Sequence, residues 1–252
     1  MSIYQIVFSP TGGTQKVTDI LTAQWETKKI DLSDPKVDFS AIALSKDDLA
    51  FVAVPSYGGR VPEVAIDRMK VISGNGAKAI LVCVYGNRAW EDTLTELQDT
   101  LEAAGFTCVA AVSAVAEHSI LRQFGAGRPD ADDAAQLADF TAKILAKLDS
   151  GDNSTPALEG SHGTYKERGK GSMQPEANKK CVSCGICAAQ CPVGAIDPAD
   201  PRKTDKDKCF GCMRCVSVCP QQARGLNPLL LKGAGVAMAK VLGGHKENFL
   251  YL

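Results

Sequence analysis

The amino-acid sequence predicts an α/β domain with a doubly wound, five-stranded parallel sheet, followed by a second, small α+β domain that is rich in cysteine. Short apolar, β-branched runs alternate with amphipathic stretches over residues 1–150, where 14 Lys and Arg stand against 20 Asp and Glu. Residues 177–252 reverse this balance with 11 basic and 5 acidic residues, and they hold eight of the ten cysteines. Segments that differ this much in charge and cysteine content indicate two modules.

Five segments of the first module are expected to form the sheet. Four of them are almost continuously apolar, as parallel strands covered on both faces must be: residues 3–9, 48–56, 77–86 and 107–115. Residues 28–33 are more polar, which favours a position near an edge. Helices are predicted between successive strands, as in a doubly wound parallel sheet. Of the two common orders of such sheets, we expect 2-1-3-4-5.

Apolar residues recur at helical spacing between these strands. Pro62 suits the first turn of the second helix, and Gly105 is placed to end the third. Acidic residues just before the fourth group of apolar residues, which begins at Leu137, favour a helix start there. The four groups of apolar residues at helical spacing are Val17, Ile20 and Leu21; Val64, Ala65, Met69 and Ile72; Leu94, Leu97 and Leu101; and Leu137, Phe140, Ile144 and Leu148.

The sequence divides into four parts. The α/β domain is predicted over residues 1–150, and a linker over residues 151–177, where periodicity is lost and Gly, Ser, Pro and charges accumulate. An internal repeat defines a domain over residues 178–227, and an apolar tail over residues 228–252 is expected to pack on the domains. Neither a secretory signal nor a run of about eighteen apolar residues is apparent, so we expect a cytoplasmic protein without a membrane span.

The eight clustered cysteines fall into two runs with the spacing C-x2-C-x2-C-x3-C-P. Such clustering favours metal ligands over disulfides, and structural zinc sites usually join two separated cysteine pairs; two zinc ions or a disulfide knot are the alternatives. In the bacterial two-cluster arrangement, the fourth cysteine of each run ligates the other cluster. We therefore assign two [4Fe–4S] sites: the Cys184 set, with Cys181, Cys184, Cys187 and Cys219, and the Cys212 set, with Cys191, Cys209, Cys212 and Cys215.

Residues 178–225 resemble the bacterial 2[4Fe–4S] ferredoxins in these runs and in the prolines that follow them, Pro192 and Pro220. The module departs from such ferredoxins, which are commonly acidic, because it is basic. Its charge is opposite to that of residues 1–150, which favours docking of the two modules on each other. The basic residues near the cysteines are Lys179, Lys180, Arg202, Lys203, Lys206, Lys208 and Arg214.

A loop of small and hydroxyl residues follows the first strand, in "VFSPTGGTQKV". It lacks the lysine of a Walker A loop and the glycine spacing of a dinucleotide fingerprint. A helix that begins here presents unpaired N–H groups to a phosphate, without a cation from the loop; a capped helix start with no ligand is the alternative. The candidate residues are Ser9, Thr11, Gly12, Gly13 and Thr14.

Two further loops follow the third and fourth strands, "PSYGGRVP" (55–62) and "YGNRAWED" (85–92). The carboxyl ends of these strands meet at one edge of such a sheet, so an aromatic residue in each loop is placed to border a planar ring. The glycine pair of the first loop permits backbone flips, and turns with incidental tyrosines are the alternative. The candidate residues are Ser56, Tyr57, Gly58, Gly59, Tyr85, Gly86, Asn87 and Arg88.

Together, the three loops make residues 1–150 resemble flavodoxin, and the whole chain is similar to the flavodoxin–ferredoxin fusion proteins of anaerobes. The resemblance implies a flavodoxin-like fold, with the FMN phosphate at "SPTGGT" and the isoalloxazine ring at the loops 55–62 and 85–92. It also implies that FMN and two [4Fe–4S] clusters are the cofactors.

We expect an electron-transfer protein that passes low-potential electrons between two [4Fe–4S] clusters and FMN, and so links one- and two-electron steps. Its partner is expected to be a redox protein and not a nucleic acid, because the basic residues near the cysteines are not interleaved with aromatics. The alternative is a flavin-dependent reductase of a quinone, nitroaromatic or activated alkene. Neither a hydrolytic constellation nor a nicotinamide signature favours an enzyme, and His118, Arg60 and Arg88 are secondary candidates near the flavin.

Overall fold

The computed structural model describes residues 1–169 and 173–252 of the chain. The N-terminal domain contains five parallel strands: β1 (Ile3–Val7), β2 (Thr27–Asp31), β3 (Leu49–Pro55), β4 (Lys78–Tyr85) and β5 (Thr107–Val115). They pair in the order β2-β1-β3-β4-β5, so the predicted doubly wound fold is confirmed. Strand β2 is the more exposed edge strand, as its polar sequence predicts.

Four helices cover the two faces of this sheet: α1 (Gly13–Leu21), α2 (Glu63–Met69), α3 (Thr93–Ala103) and α4 (Ala131–Asp149). Helices α1 and α4 bury Leu21 and Leu137 against one face, while α2 and α3 bury Met69 and Leu97 against the other. Burial of one such side chain stabilises the fold by about 1.5–3 kcal/mol. This packing fixes the carboxyl ends of β1, β3, β4 and β5, and hence the loops that follow them.

Short elements build the C-terminal domain: β6 (Glu176–Ala177), α5 (Ile186–Ala189), α6 (Arg214–Ser217) and β7 (Arg224–Gly225), with β6 and β7 antiparallel. The internal repeat extends to the backbone, because equivalent positions of the two cysteine runs adopt left-handed φ angles, even at non-glycine residues. The equivalent pairs are Ser183 and Gly211, Gly185 and Met213, and Gly194 and Gln222.

The apolar tail forms helix α7 (Pro228–Leu242) and strand β8 (Phe249–Tyr251). Strand β8 pairs antiparallel with β5 and so adds a sixth strand to the sheet. Sequence analysis did not predict this strand, because three residues are too few to show a strand periodicity. In the part of the chain that the structure describes, no helix, including α7, is long and apolar enough to cross a membrane.

Residues of the predicted linker lie along α3. Asp99 accepts hydrogen bonds from the Gly163 N–H group at 3.0 Å and from the Tyr165 hydroxyl, and the Lys166 N–H group donates to Asp92 at 2.7 Å. The predicted domain boundaries stay predictions, and three residues of the linker, 170–172, lie outside the described residues.

Candidate cofactor sites

Each predicted cysteine set surrounds a cavity of its own. The Cys184 set lines a cavity of about 330 Å³, including space open to solvent, beside Pro220. The Cys212 set lines a second cavity of about 350 Å³, beside Phe210. Each cavity thus collects three cysteines of one run and the fourth of the other. The cysteines surround these spaces and do not converge on one point: among the described residues, no three His, Cys, Asp or Glu side chains stand close enough to hold a single metal ion.

Two backbone amides point at the sulfur atoms of the cysteines that cross between the runs. The Ala195 N–H group donates to Cys191 Sγ at 3.3 Å, and the Ala223 N–H group donates to Cys219 Sγ at 3.2 Å. Hydrogen bonds to a ligating sulfur stabilise thiolate charge and tune the potential of a cluster. The donor set and these amides fit a pair of [4Fe–4S] clusters, and ligation by these residues stays a prediction.

The two sets differ in their exposure to water. Burial raises the pKa values of Cys212 and Cys215 to about 12, so their thiolates require a bound cation. In the other set, a hydrogen bond from the Ser183 backbone, followed by one from Arg202, lowers the pKa of Cys181. Cys184 itself is exposed. The Cys184 set therefore contains an exposed cysteine, whereas every cysteine of the Cys212 set is buried or partly buried.

Helix α1 begins within the predicted phosphate loop. Its N-cap is Gly12, whose φ of 93° is left-handed and which offers no side chain to the first-turn N–H groups. Ser9 is buried and its hydroxyl accepts a hydrogen bond from the Gln15 N–H group at 2.9 Å, whereas Thr11 is exposed and Thr14 is buried. Ser9 thus occupies one N–H group of the first turn, and the helix N-terminus favours an anion through its remaining N–H groups and its dipole.

The C-terminal domain supplies a cation beside this loop. Arg214 donates from Nη1 to the Pro10 carbonyl oxygen at 3.4 Å, and the Ser217 hydroxyl donates to the same oxygen at 3.1 Å. The loop has no lysine or arginine of its own before Lys16. Sequence analysis missed this contribution because Arg214 lies 204 positions from Pro10 along the chain.

The loop after β3 turns tightly between Tyr57 and Arg60. These residues exchange backbone hydrogen bonds of 2.9 and 3.2 Å, and the φ angles of Gly58 and Gly59 are 62° and 85°, as in a type I′ turn. A Cβ atom at Gly58 would meet nothing within 4 Å, but one at Gly59 would lie 1.8 Å from Oε2 of Glu91. Glu91 therefore covers Gly59, and only the Gly58 side of the turn stays open.

We expect a Gly59→Ala variant to lose about 2–4 kcal/mol of unfolding free energy in urea, from backbone strain and from displacement of Glu91. Hydrogen bonds from Arg88 at 2.8 Å and Lys166 at 2.7 Å hold that carboxylate. Gly58→Ala is the matched control, because it adds only the strain and should cost about 1 kcal/mol. Equal losses in the two variants would contradict the packing of Glu91 on Gly59.

The loop after β4 is placed differently from the sequence-based expectation. Tyr85 is buried, its ring centroid lies 4.9 Å from that of Trp90, and its hydroxyl donates to the Glu247 carbonyl at 2.6 Å. Asn87 is also buried, and its amide donates to the Leu242 carbonyl at 2.5 Å. The expectation that Tyr85 borders a planar ring is therefore not supported, because the returning C-terminal tail occupies this side of the loop.

Three candidate side chains of these two loops, those of Arg60, Arg88 and Ser56, are bonded to other residues of the protein. Arg60 pairs with Glu96 at 2.5 Å, and Arg88 pairs with Glu91 at 2.8 Å. Ser56 accepts a hydrogen bond of 2.9 Å from the hydroxyl of Thr93, the first residue of α3. These side chains stabilise the conformation of the loops. They therefore contribute less to direct ligand binding than the sequence predicts.

His118 packs directly on the loop after β4. A Cβ atom at Gly86 would lie 3.0 Å from the imidazole ring, so only glycine allows this approach. The Nδ1 atom accepts hydrogen bonds from the Ile120 and Leu121 N–H groups, each at 3.1 Å, which leaves the proton on Nε2. Burial lowers the pKa of His118, so the ring is neutral at pH 7.

An aromatic contact joins the Cys212 set to the predicted flavin loops. The ring centroid of Phe210 lies 6.4 Å from that of Phe8 and 6.2 Å from that of Tyr57. Burial, and secondarily the neighbouring Cys212, raise the pKa of Tyr57. Sequence analysis did not single out Phe210, although the equivalent position of the first run is Val182, and this difference between the repeats is the signal that marks it.

The C-terminal domain is similar to proteins of a known family. Residues 167–224 match the 4Fe-4S dicluster domain family. Pyruvate synthase subunit PorD of Thermotoga maritima is 36% identical over 72 residues, which are 26% of this chain and 73% of that protein. The chain belongs to the 4Fe-4S dicluster family through this segment. The match begins within the predicted linker, and it includes β6 and reaches Arg224 of β7.

Two further relatives match the dicluster domain over shorter stretches. Pyruvate synthase subunit PorD of Methanocaldococcus jannaschii is 46% identical over 48 residues, which are 18% of this chain and 56% of that protein. A component of the ion-translocating oxidoreductase complex of Methanosarcina acetivorans is 41% identical over 44 residues, or 17% of each chain. The chain therefore spans less than two thirds of the length of these two relatives.

Solved flavodoxin structures are also similar to this chain. A flavodoxin from Streptococcus pneumonia TIGR4 is 19% identical, with a TM-score of 0.41, over 58% of this chain and 99% of its own. A flavodoxin from the domain Archaea is 12% identical, with a TM-score of 0.38, over 59% of this chain and 99% of its own. The strand order of the α/β domain is itself flavodoxin-like. The chain therefore joins an α/β domain with a doubly wound sheet to a 4Fe-4S dicluster segment.

Proposed function

We propose that the chain passes electrons between two [4Fe–4S] clusters, held by the Cys184 and Cys212 sets, and an FMN at the carboxyl edge of the sheet. One observation carries this proposal: Phe210, which lies between Cys209 and Cys212, packs on both Phe8 and Tyr57. The Cys212 set therefore lies next to the predicted flavin loops. Clusters that carry one electron each and a flavin that holds one or two together convert between one- and two-electron chemistry.

The residues proposed to hold the FMN phosphate come from both domains. Ser9, Thr11 and Thr14 supply hydroxyls, and the N-terminus of α1 at Gly12 and Gly13 supplies N–H groups and a favourable dipole. Arg214 stands beside the same loop and adds a charge-assisted donor. Because this arginine belongs to α6 of the dicluster domain, FMN binding and docking of the two domains are expected to stabilise each other.

The residues proposed to border the flavin ring are Tyr57, Gly58 and His118. Tyr57 is the first residue of the type I′ turn. Gly58 is exposed, and a Cβ atom there would meet nothing within 4 Å, which leaves room for its peptide to rotate. His118 is a neutral N–H donor beside Gly86. Tyr85 and Asn87 act indirectly, because they anchor the C-terminal tail that closes this edge of the sheet.

We propose that the donor or acceptor is a redox protein, in keeping with relatives named as parts of pyruvate synthase and of an ion-translocating oxidoreductase complex. A carrier is favoured over a small-molecule reductase, because Arg60 and Arg88, the cationic side chains of the two predicted flavin loops, are committed to ion pairs within the protein. A cytoplasmic location is proposed because free thiols and clusters persist in a reducing compartment.

The composition of the anaerobically purified protein tests this proposal. We expect about eight irons, about eight acid-labile sulfides and about one FMN per chain, from quantification of each alongside the ultraviolet–visible spectrum. Photoreduction of the flavin should then be followed by bleaching of the cluster absorbance. Full iron without flavin, even after FMN is added, would contradict the flavin site and leave a dicluster domain on an α/β domain of another purpose.

A further inference from the structure

The two cysteine sets present different surfaces to a partner. Beside the Cys212 set, Phe210 packs on Phe8 and Tyr57 of the N-terminal domain, so this side of the set faces that domain. The Cys184 set has its central cysteine exposed, and Val182, the neighbour of Cys181, is 63% exposed. An exposed apolar side chain beside a redox site is the centre that a transient protein–protein contact uses.

Unpaired positive charge surrounds this exposed set. Lys179, Lys180 and Arg202 are all exposed, and in the described part of the chain none of them forms an ion pair with an acidic residue. Arg202 stays close to the set, because its Nη2 atom donates to the Cys181 carbonyl oxygen at 2.8 Å. Lys179 and Lys180 directly precede Cys181 in the chain, so all three cations border the segment that carries Val182 and Cys184.

Three further exposed lysines of the dicluster domain are neutralised locally. Lys203 pairs with Asp200 at 3.4 Å, Lys206 with Glu176 at 3.0 Å, and Lys208 with Asp205 at 3.7 Å. Arg214 and Arg224 are not exposed, so, among the described residues, the exposed positive charge of the domain that has no acidic partner lies at the Cys184 set. Residues 1–150, with 14 basic and 20 acidic residues, repel an acidic protein from the rest of the molecule.

We propose that the surface formed by Val182, Cys184, Lys179, Lys180 and Arg202 is the docking site for an acidic one-electron carrier protein. The proposal rests on the proposed function, because it takes the Cys184 set to hold a cluster. Complementary charge selects the partner and speeds encounter, and the small apolar centre allows rapid release. In the transfer, the reduced carrier loses one electron and this chain gains it, and no bond forms or breaks.

A binding experiment with an acidic bacterial 2[4Fe–4S] ferredoxin as the probe tests the docking site. The holoprotein, with clusters and FMN, is titrated with this probe by calorimetry at low and at moderate ionic strength. We expect Lys179→Glu/Lys180→Glu to weaken binding at least about tenfold and to reduce its salt dependence. The matched control is Lys36→Glu/Lys46→Glu, which makes the same change in net charge at two exposed lysines of the N-terminal domain and should weaken binding less than about twofold.

The outcomes separate the docking site from the proposed function. Equal weakening in both double variants would overturn the docking site, because only overall charge would then matter. Self-association of the holoprotein that is lost in Lys179→Glu/Lys180→Glu, without binding of the probe, would overturn it in favour of a second copy of this chain. Failure of flavin photoreduction to bleach the clusters, measured on the same samples, would instead contradict the proposed function, while calorimetry still reports on docking.

Discussion

A Cys191→Ser variant is expected to interrupt electron flow between the flavin and the rest of the chain, whereas Cys219→Ser is expected to leave that step in place. Each serine removes one ligand from one set, so iron should fall from about eight to about four per chain in both. Cys191 belongs to the set that Phe210 joins to Tyr57, and Cys219 belongs to the exposed set. The variants therefore differ in which cavity is affected, although the two cysteines occupy equivalent positions of the repeat.

Iron content, electron paramagnetic resonance and bleaching after flavin photoreduction measure this difference. In Cys219→Ser, the remaining cluster signal should still appear after photoreduction of the flavin. In Cys191→Ser, the remaining cluster should stay oxidised while the flavin is reduced. Far-ultraviolet circular dichroism verifies that both variants keep the fold. The opposite pattern, with transfer retained in Cys191→Ser, would show that the Cys184 set is the one next to the flavin.

The sequence predicts the elements of this molecule well because the signals are local. Continuous apolar runs predicted four buried strands, and the cysteine spacing predicted the two sets that line separate cavities. The acidic start of α4 is a capping box, in which Asp130 accepts from the Asp133 N–H group at 3.0 Å. Each of these features depends on residues that lie close together in the chain.

Contacts between segments that are distant in the sequence could not be predicted, because no local pattern indicates them. Nothing local in the tail shows that β8 pairs with β5 or that Asn248 accepts a hydrogen bond from the Val115 N–H group at 2.8 Å. Opposite charges of the two modules suggest docking by ion pairs, but Arg68 instead donates to the Pro192 carbonyl at 2.6 Å, and Arg214 approaches Pro10. Between residues 1–150 and 178–252, within the described residues, no salt bridge forms.

Ion pairs do connect the predicted linker to the N-terminal domain. Glu96 of α3 has a side chain that is only 5% exposed, and it pairs with Arg60 and with Arg168, each at 2.5 Å. The same carboxylate accepts a hydrogen bond from the Val61 N–H group at 2.9 Å. One buried acid therefore fixes the predicted flavin loop 55–62 and the segment around Arg168, where the match to the dicluster domain begins.

A Glu96→Ala variant is accordingly expected to lose about 3–5 kcal/mol of unfolding free energy, because it leaves two arginines without their carboxylate in a largely buried position. Urea denaturation measures this loss, and limited trypsin digestion should show faster cleavage after Arg168 as the linker detaches. FMN should also bind more weakly, since the loop that carries Tyr57 loses its anchor at Val61. The control is Glu117→Ala, whose partner Arg122 is 78% exposed, and which should lose at most about 1 kcal/mol. A loss below about 1 kcal/mol in Glu96→Ala as well would mean that water solvates these arginines and that the linker is held to α3 chiefly through Asp99 and Asp92.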